Sequence, residues 1–160
     1  MTDRVAGCLV LLYGQQLSRI VAITTDQVVT GGEEVQLRLG RDCLPLPEPL
    51  GGLVTRLAES GRRYVGVGTP VRTPWLFPGL LPGRPLTAQH LGQRLRDLGI
   101  DPRPGRRSAM VHLAARIPAA VVADLLNLHS TTAVRWTRAA GGDWSTYAAM
   151  VARDGDRERY

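Results

Sequence analysis

A single change in hydrophobic spacing constrains this chain most. Through VAGCLVLLYGQQLSRIVAI, from Val5 to Ile23, the apolar residues recur at helical intervals: Leu9, Leu12 and Tyr13 share one face, and Leu17, Ile20 and Val21 repeat the spacing after Gly14. In the following segment, TTDQVVTGGEEVQLRLGRDCLPL, the period drops to two. Val35, Leu37 and Leu39 alternate with Gln36 and Arg38, the pattern of a half-buried strand. Gly31-Gly32 before it and Gly40-Arg41-Asp42 after it supply turns, so the segment is expected to form a small antiparallel sheet. Downstream the helical period returns and stays. The expected fold class is therefore α+β and mainly α, a helical core with a small antiparallel β-sheet in the N-terminal half.

The helical part can be divided by its start and stop signals. Pro45, Pro47 and Pro49 end the sheet and lead into a helix from about Leu50 to Ser60, with Leu53, Val54 and Leu57 facing inward. Gly61 to Pro85 is rich in proline and glycine and reads as an irregular connection, with Trp75-Leu76-Phe77 tucked against the core. Thr87 then caps a helix in which Leu86 and Leu91 form a hydrophobic staple, Leu91, Leu95 and Leu98 line one face, and Gly99 is the stop. Ser108–Arg116 reads as a further helix, Pro118 opens another that runs to Leu126, and Ser130 caps one through Arg138. Asp143 caps a last helix to about Arg153, and residues 154–160 form a frayed tail.

At 160 residues the chain fits one compact domain, expected to span residues 1–153, and its 44% hydrophobic content is enough for a core. The longest apolar run, near Val5–Tyr13, falls far short of the ~20 residues of a membrane span and has no cleavage-site pattern, so a cytoplasmic protein without membrane contact is expected. Cys8 and Cys43, on a core helix and a strand, lack metal-ligand spacing and read as reduced structural thiols. No metal and no cofactor is expected. The net charge is +6, and all 20 basic residues are arginine. The planar guanidinium suits bidentate contact with phosphate, and a basic chain of this size is drawn to polyanions in a salt-dependent way.

Several blocks, in order, resemble the catalytic domain of the tyrosine recombinases (phage-integrase family), particularly its divergent actinobacterial members. LLYGQQLSRIVAITTDQV is similar to the opening helix pair of that domain, and VQLRLGRDCLPLPEPL to its β-hairpin. WLFPGLLPGRPLTAQHLGQRLRDLGI resembles the lead into the catalytic helices, and VVADLLNLHSTT the L-L-G-H-S segment, so the likeness spans residues 5–140. The resemblance implies double-stranded DNA as partner and a reaction in which a tyrosine attacks a phosphodiester. In it, arginines hold the non-bridging oxygens while a hairpin lysine and histidines assist proton transfer. It also implies a preceding helical domain that clamps the DNA. This chain begins at the catalytic domain's first helices, so that domain is expected to be absent.

Carried over residue by residue, the resemblance leaves a partial set. Arg19 lies near the first family arginine, without the glutamate that follows it, and Arg106 or Arg107 lies near the second. The H-x-x-R-H pattern is lost there, with Arg103 or Pro104 at the first histidine and Arg107 or Ser108 at the second. His129 falls one place beyond the histidine of L-L-G-H, with a place in a helix N-cap region as the alternative. The expected catalytic remnants are Arg19, Arg107 and His129. No lysine exists to serve on the hairpin; Arg38 or Arg41 brings charge there but is a poor proton donor at neutral pH. The nucleophile position falls at Trp136 or Thr137, and Tyr147, the alternative, is spaced to pack in the last helix. The expected function is DNA binding of the site-specific recombinase type without strand cleavage, through Arg19, Arg38, Arg41, Arg106, Arg107 and Arg135.

Two rival readings stand beside this one. Residues 119–138 read as a helix-turn-helix in which Thr131, Thr132 and Arg135 face the major groove, which would make the chain a small transcriptional regulator. Alternatively Val28-Val29 and the last helix, with Trp144, Tyr147 and Met150, dock on a partner, either a second copy of the chain or an intact recombinase.

Overall fold

The computed structural model describes residues 1–32, 34–61, 73–81 and 83–141. The Asp143–Arg153 helix, Tyr147 and the tail lie outside the described residues. Helix α1 (Thr2–Leu11) and the short α2 (Leu17–Ile20) are followed by a 3₁₀ turn (Thr25–Gln27) and strands β1 (Val28–Val29), β2 (Gln36–Arg38) and β3 (Cys43–Pro45). The rest is helical: α3 (Leu50–Gly61), α4 (Ala88–Asp97), α5 (Pro102–Ala114), α6 (Ala119–Leu126) and α7 (Ser130–Ala139). Mainly helical with a small sheet, this is the expected fold class. Among the described residues no helix is long and apolar enough to cross a membrane.

The sheet is antiparallel in the order β1-β2-β3, with Leu37 opposite both Val28 and Leu44. That register follows from the alternation: Leu37 is fully buried while Arg38 faces solvent. The main core gathers α1 (Val5, Leu9, Val10), Leu37, Val54 of α3, Leu76-Phe77 and α4 (Leu91, Leu95). A smaller cluster of Met110, Val122 and Leu126 lies under α7, and Tyr13, Leu39 and Leu125 pack against both. Thr87 caps α4 by accepting from the His90 N–H at 3.2 Å, as its sequence predicts. Leu86 and Leu91 are both buried.

Four local readings are corrected. The stretch from Val5 to Ile23 is not one helical run: Gly14, at φ +58° and packed against the Met110 side chain, breaks it into α1 and α2, and Leu12 becomes an exposed C-cap residue. Leu98 likewise caps α4 and is 60% exposed rather than core-facing. Helix α5 begins at Pro102 rather than Ser108. Asp101 caps it by accepting from Arg103 N–H at 3.1 Å, and Pro102 and Pro104 sit in the first turn, where no intrahelical acceptor awaits their missing N–H. Finally, His129 and not Ser130 is the N-cap of α7.

Candidate nucleic-acid interface

The C-terminal end of α6 is where the distant segments meet. Helix α6 stops at Asn127, which takes the left-handed conformation (φ 52°, ψ 48°), so its last carbonyls need outside donors. Arg19 supplies one: its Nη1 donates to the Leu126 carbonyl at 3.2 Å and to the Asn127 carbonyl. A cation at a helix C-terminus is also favoured by the helix dipole. The hairpin tip supplies another, the Arg41 N–H donating to the Asp124 carbonyl at 3.1 Å. Gly40 allows this approach, because a Cβ there would overlap the Asp124 carbonyl oxygen.

Arg106 sits beside this junction on α5. It is half-buried, and its Nε is buried with no hydrogen-bond partner. Burial, and secondarily the nearby Arg19 charge, push its pKa down from the ordinary arginine value. Its guanidinium carbon lies 6.0 Å from the centre of the Trp136 ring on α7, within cation–π range. Among the described residues the ion pair found is Arg94–Asp3, at 2.8 Å, and neither Arg19 nor Arg106 has a carboxylate partner.

Two pockets flank Arg106 and share it and Gln16. One, about 330 Å³, is lined by Gln15, Gln16, Leu17, Pro102, Arg103 and Arg106; the other, about 310 Å³, by Gln16, Arg106, Thr132, Arg135, Trp136 and Ala139. Among the described residues no carboxylate lines either one. Together they form a basic groove from the start of α5 to α7. A larger pocket of about 660 Å³, between Val21 and the Gly79–Thr87 segment, lies elsewhere and includes none of the arginines expected at the site.

The fold thus places Arg19 near enough to Arg106 for their charges to interact, although Arg19 lines neither pocket, and it sets Arg135 on the groove with Arg106. Arg107 is exposed on α5 and lines neither pocket. Arg38 is exposed on β2, where its carbonyl accepts from Gln27 Nε2 at 2.8 Å; Arg41 is exposed at the hairpin tip. His129 is exposed, its Nδ1 2.9 Å from Thr131 Oγ1 and 3.4 Å from the Thr131 N–H, so its ring serves the α7 cap. Thr137 is buried and its hydroxyl donates to the Ala133 carbonyl at 3.2 Å. Among the described residues no cluster of three or more histidine, cysteine or acidic side chains could hold a metal. Gln15 and Gln16 had no signal in the sequence beyond their place at the α1–α2 break.

No family model matches this chain, and no curated protein does. A solved structure does: the Tn1549 transposon integrase in complex with transposon right-end DNA, with a TM-score of 0.51 and 13% identity. This chain shares that integrase's fold. The match covers 91% of this chain and 58% of the integrase chain, so the chain spans little more than half the length of its neighbour. At that identity the likeness is one of fold, and it agrees with the recombinase-type architecture that the sequence blocks implied.

Proposed function

We propose that this chain is a DNA-binding protein of the integrase type that holds the duplex backbone in the Arg106 groove and does not cut it. The carrying observation is a half-buried guanidinium whose Nε has no partner and which feels the charge of a second guanidinium, with no carboxylate among the described residues to neutralise either. Such a site favours an anion, and a phosphodiester matches the planar donor fork. Arg106, rather than Arg107, is then the arginine that contacts phosphate, because it faces the groove. Arg19, with one terminal nitrogen committed to α6, adds charge and holds the α6–α7 turn in place. Arg135 on the groove, with Arg38 and Arg41 exposed on the sheet, are the further arginines of this reading. The integrase fold, seen in its neighbour bound to DNA, supports DNA as the partner.

Loss of cleavage is proposed on chemical grounds. At the position expected for the nucleophile, indole carries no group that attacks phosphorus, and the Thr137 hydroxyl is buried and engaged. The experiment is binding to a short blunt duplex across a salt series, together with a nicked suicide substrate. Affinity is expected to fall steeply with salt. Arg106→Gln should weaken binding more than Arg56→Gln or Arg116→Gln, and no covalent protein–DNA product should form. Equal effects of the three substitutions would remove the groove from the site. A covalent product that disappears in Tyr147→Phe would restore cleavage to the chain.

A second reading rests on the α6–turn–α7 unit, whose left-handed Asn127 replaces the glycine common in helix-turn-helix connections. Thr132 and Arg135, however, line the groove with Arg106, so they serve the first reading equally. A sequence-specific footprint on a short palindrome would favour the regulator.

A further inference from the structure

A site built only for phosphate gains nothing from an aromatic wall, yet Trp136 lines the pocket between α5 and α7. The Arg106 guanidinium carbon stands 6.0 Å from the centre of the Trp136 ring, at the outer edge of cation–π range, and the ring also packs against the Met110, Val122 and Leu126 cluster, which fixes the plane of the indole. Beside it stand groups of another kind. Gln16 offers an amide with both donor and acceptor, Thr132 a hydroxyl that can act as either, and Arg135 a cation. Ala139 keeps that side shallow. At about 310 Å³ the pocket is at the small end of ligand sites, of a size for one planar group with its phosphate.

We infer that this pocket takes one unpaired nucleotide of a DNA strand, its base stacked on Trp136 and its phosphate held between Arg106 and Arg135. The inference rests on the DNA-binding reading and sharpens it. A flat indole accepts any base by its π-face, and an adaptable amide and hydroxyl meet the base edge without selecting one base, so recognition is of an unpaired nucleotide rather than of sequence. Bases inside a duplex are stacked and cannot enter, so the occupant comes from a tail, a gap or an extruded position. A free nucleotide has the same chemistry. The adjoining pocket at Gln15, Gln16 and Arg103 continues the groove past Arg106, and this continuity favours a nucleotide within a strand, whose neighbouring phosphates have somewhere to lie.

The test compares the full chain on a blunt duplex and on the same duplex carrying a short single-stranded tail, by fluorescence anisotropy at one salt concentration. The tailed duplex is expected to bind about tenfold tighter, the size of one base–aromatic stack. Trp136→Leu, which fills the space without a π-face, should bring the ratio of the two affinities to about one, and Trp136→Phe should restore most of it. Gln16→Ala, at an exposed position, should reduce the ratio even if the leucine variant folds poorly. Equal affinities in the unaltered chain, or a tail preference that survives in both Trp136→Leu and Gln16→Ala, would overturn the inference while leaving duplex binding standing. Failure of both DNAs to bind would remove the DNA-binding reading together with it. Adenosine monophosphate competing as strongly as the tailed duplex would assign the pocket to free nucleotides and overturn the strand assignment.

Discussion

Gly40 at the tip of the β2–β3 hairpin rests on Asp124 of α6 so closely that a Cβ at position 40 would overlap the Asp124 carbonyl oxygen and stand 2.9 Å from the Asn127 nitrogen. The hairpin tip thereby meets α6 through main-chain atoms, beside the side-chain packing of Leu39 on both hydrophobic clusters. The Arg41 N–H completes the contact on the same carbonyl. Gly40→Ala must push hairpin and helix apart, because the opposing atoms are main chain and cannot rotate away. A loss of about 2 kcal/mol is expected, typical of overpacking at a rigid contact, read as a lower urea midpoint. Gly31→Ala, in open space, is the control. Equal midpoints for the two variants would mean that the hairpin is not seated on α6.

The turn between α6 and α7 depends on one residue's tolerance of the left-handed region. Asn127 adopts it, and its N–H donates to the Ala123 carbonyl. Asn127→Ala keeps that bond but adds the steric cost that L-residues with a Cβ meet there, about 1 kcal/mol. Asn127→Gly removes the cost and is expected to unfold at or slightly above the temperature of the unaltered chain. An alanine variant as stable as the glycine variant would show that the turn opens in solution, and Arg19 would then lose its two carbonyl acceptors.

Much of this arrangement is legible in the sequence, and the part that is not has a definite cause. The strand register follows from the alternation around Leu37, and α4 from Thr87, Leu86 and Gly99, because these signals are local. The choice between Arg106 and Arg107 is not local. It depends on the rotational phase of α5, which is obscured when Pro104 and Gly105 are taken as helix breakers rather than as first-turn residues. Met110 sets that phase: this fully buried side chain lies one helical turn after Arg106 and so puts Arg106 on the inward face. The contact of Arg19 with α6 joins residues 107 and 108 positions apart, and no periodicity encodes it.

Tyr13 joins the two hydrophobic clusters, and burial first, with the neighbouring Cys8 second, raises its pKa above the ordinary tyrosine value. In the unfolded chain it would ionise near its usual value of about 10. Between that pH and the higher folded value the unfolded state holds fewer protons than the folded one, so stability falls as pH rises through this window. Below it the contribution is complete. Tyr13→Phe is expected to flatten the alkaline limb of a stability–pH profile. A profile whose alkaline fall is unchanged in Tyr13→Phe would place the cause elsewhere.

Arg106 gives the opposite sign and the sharper test. Its folded pKa is lowered, so at neutral pH the folded chain holds a charge that burial and Arg19 both disfavour, and the group opposes folding until an anion arrives. An anion in the groove should relieve that opposition, and binding to the folded state alone raises the melting temperature by mass action. Sulfate and phosphate also stabilise proteins by exclusion from their surface, so the informative quantity is the difference between variants. In low salt Arg106→Gln is expected to melt at or above the temperature of the unaltered chain, and the increment from added sulfate should be smaller in the variant. Arg116→Gln, just past the far end of the same helix, should respond as the unaltered chain does. If sulfate raised all three melting temperatures equally, the buried guanidinium would be a packed side chain without an anion site, and the groove would lose its claim on the DNA backbone.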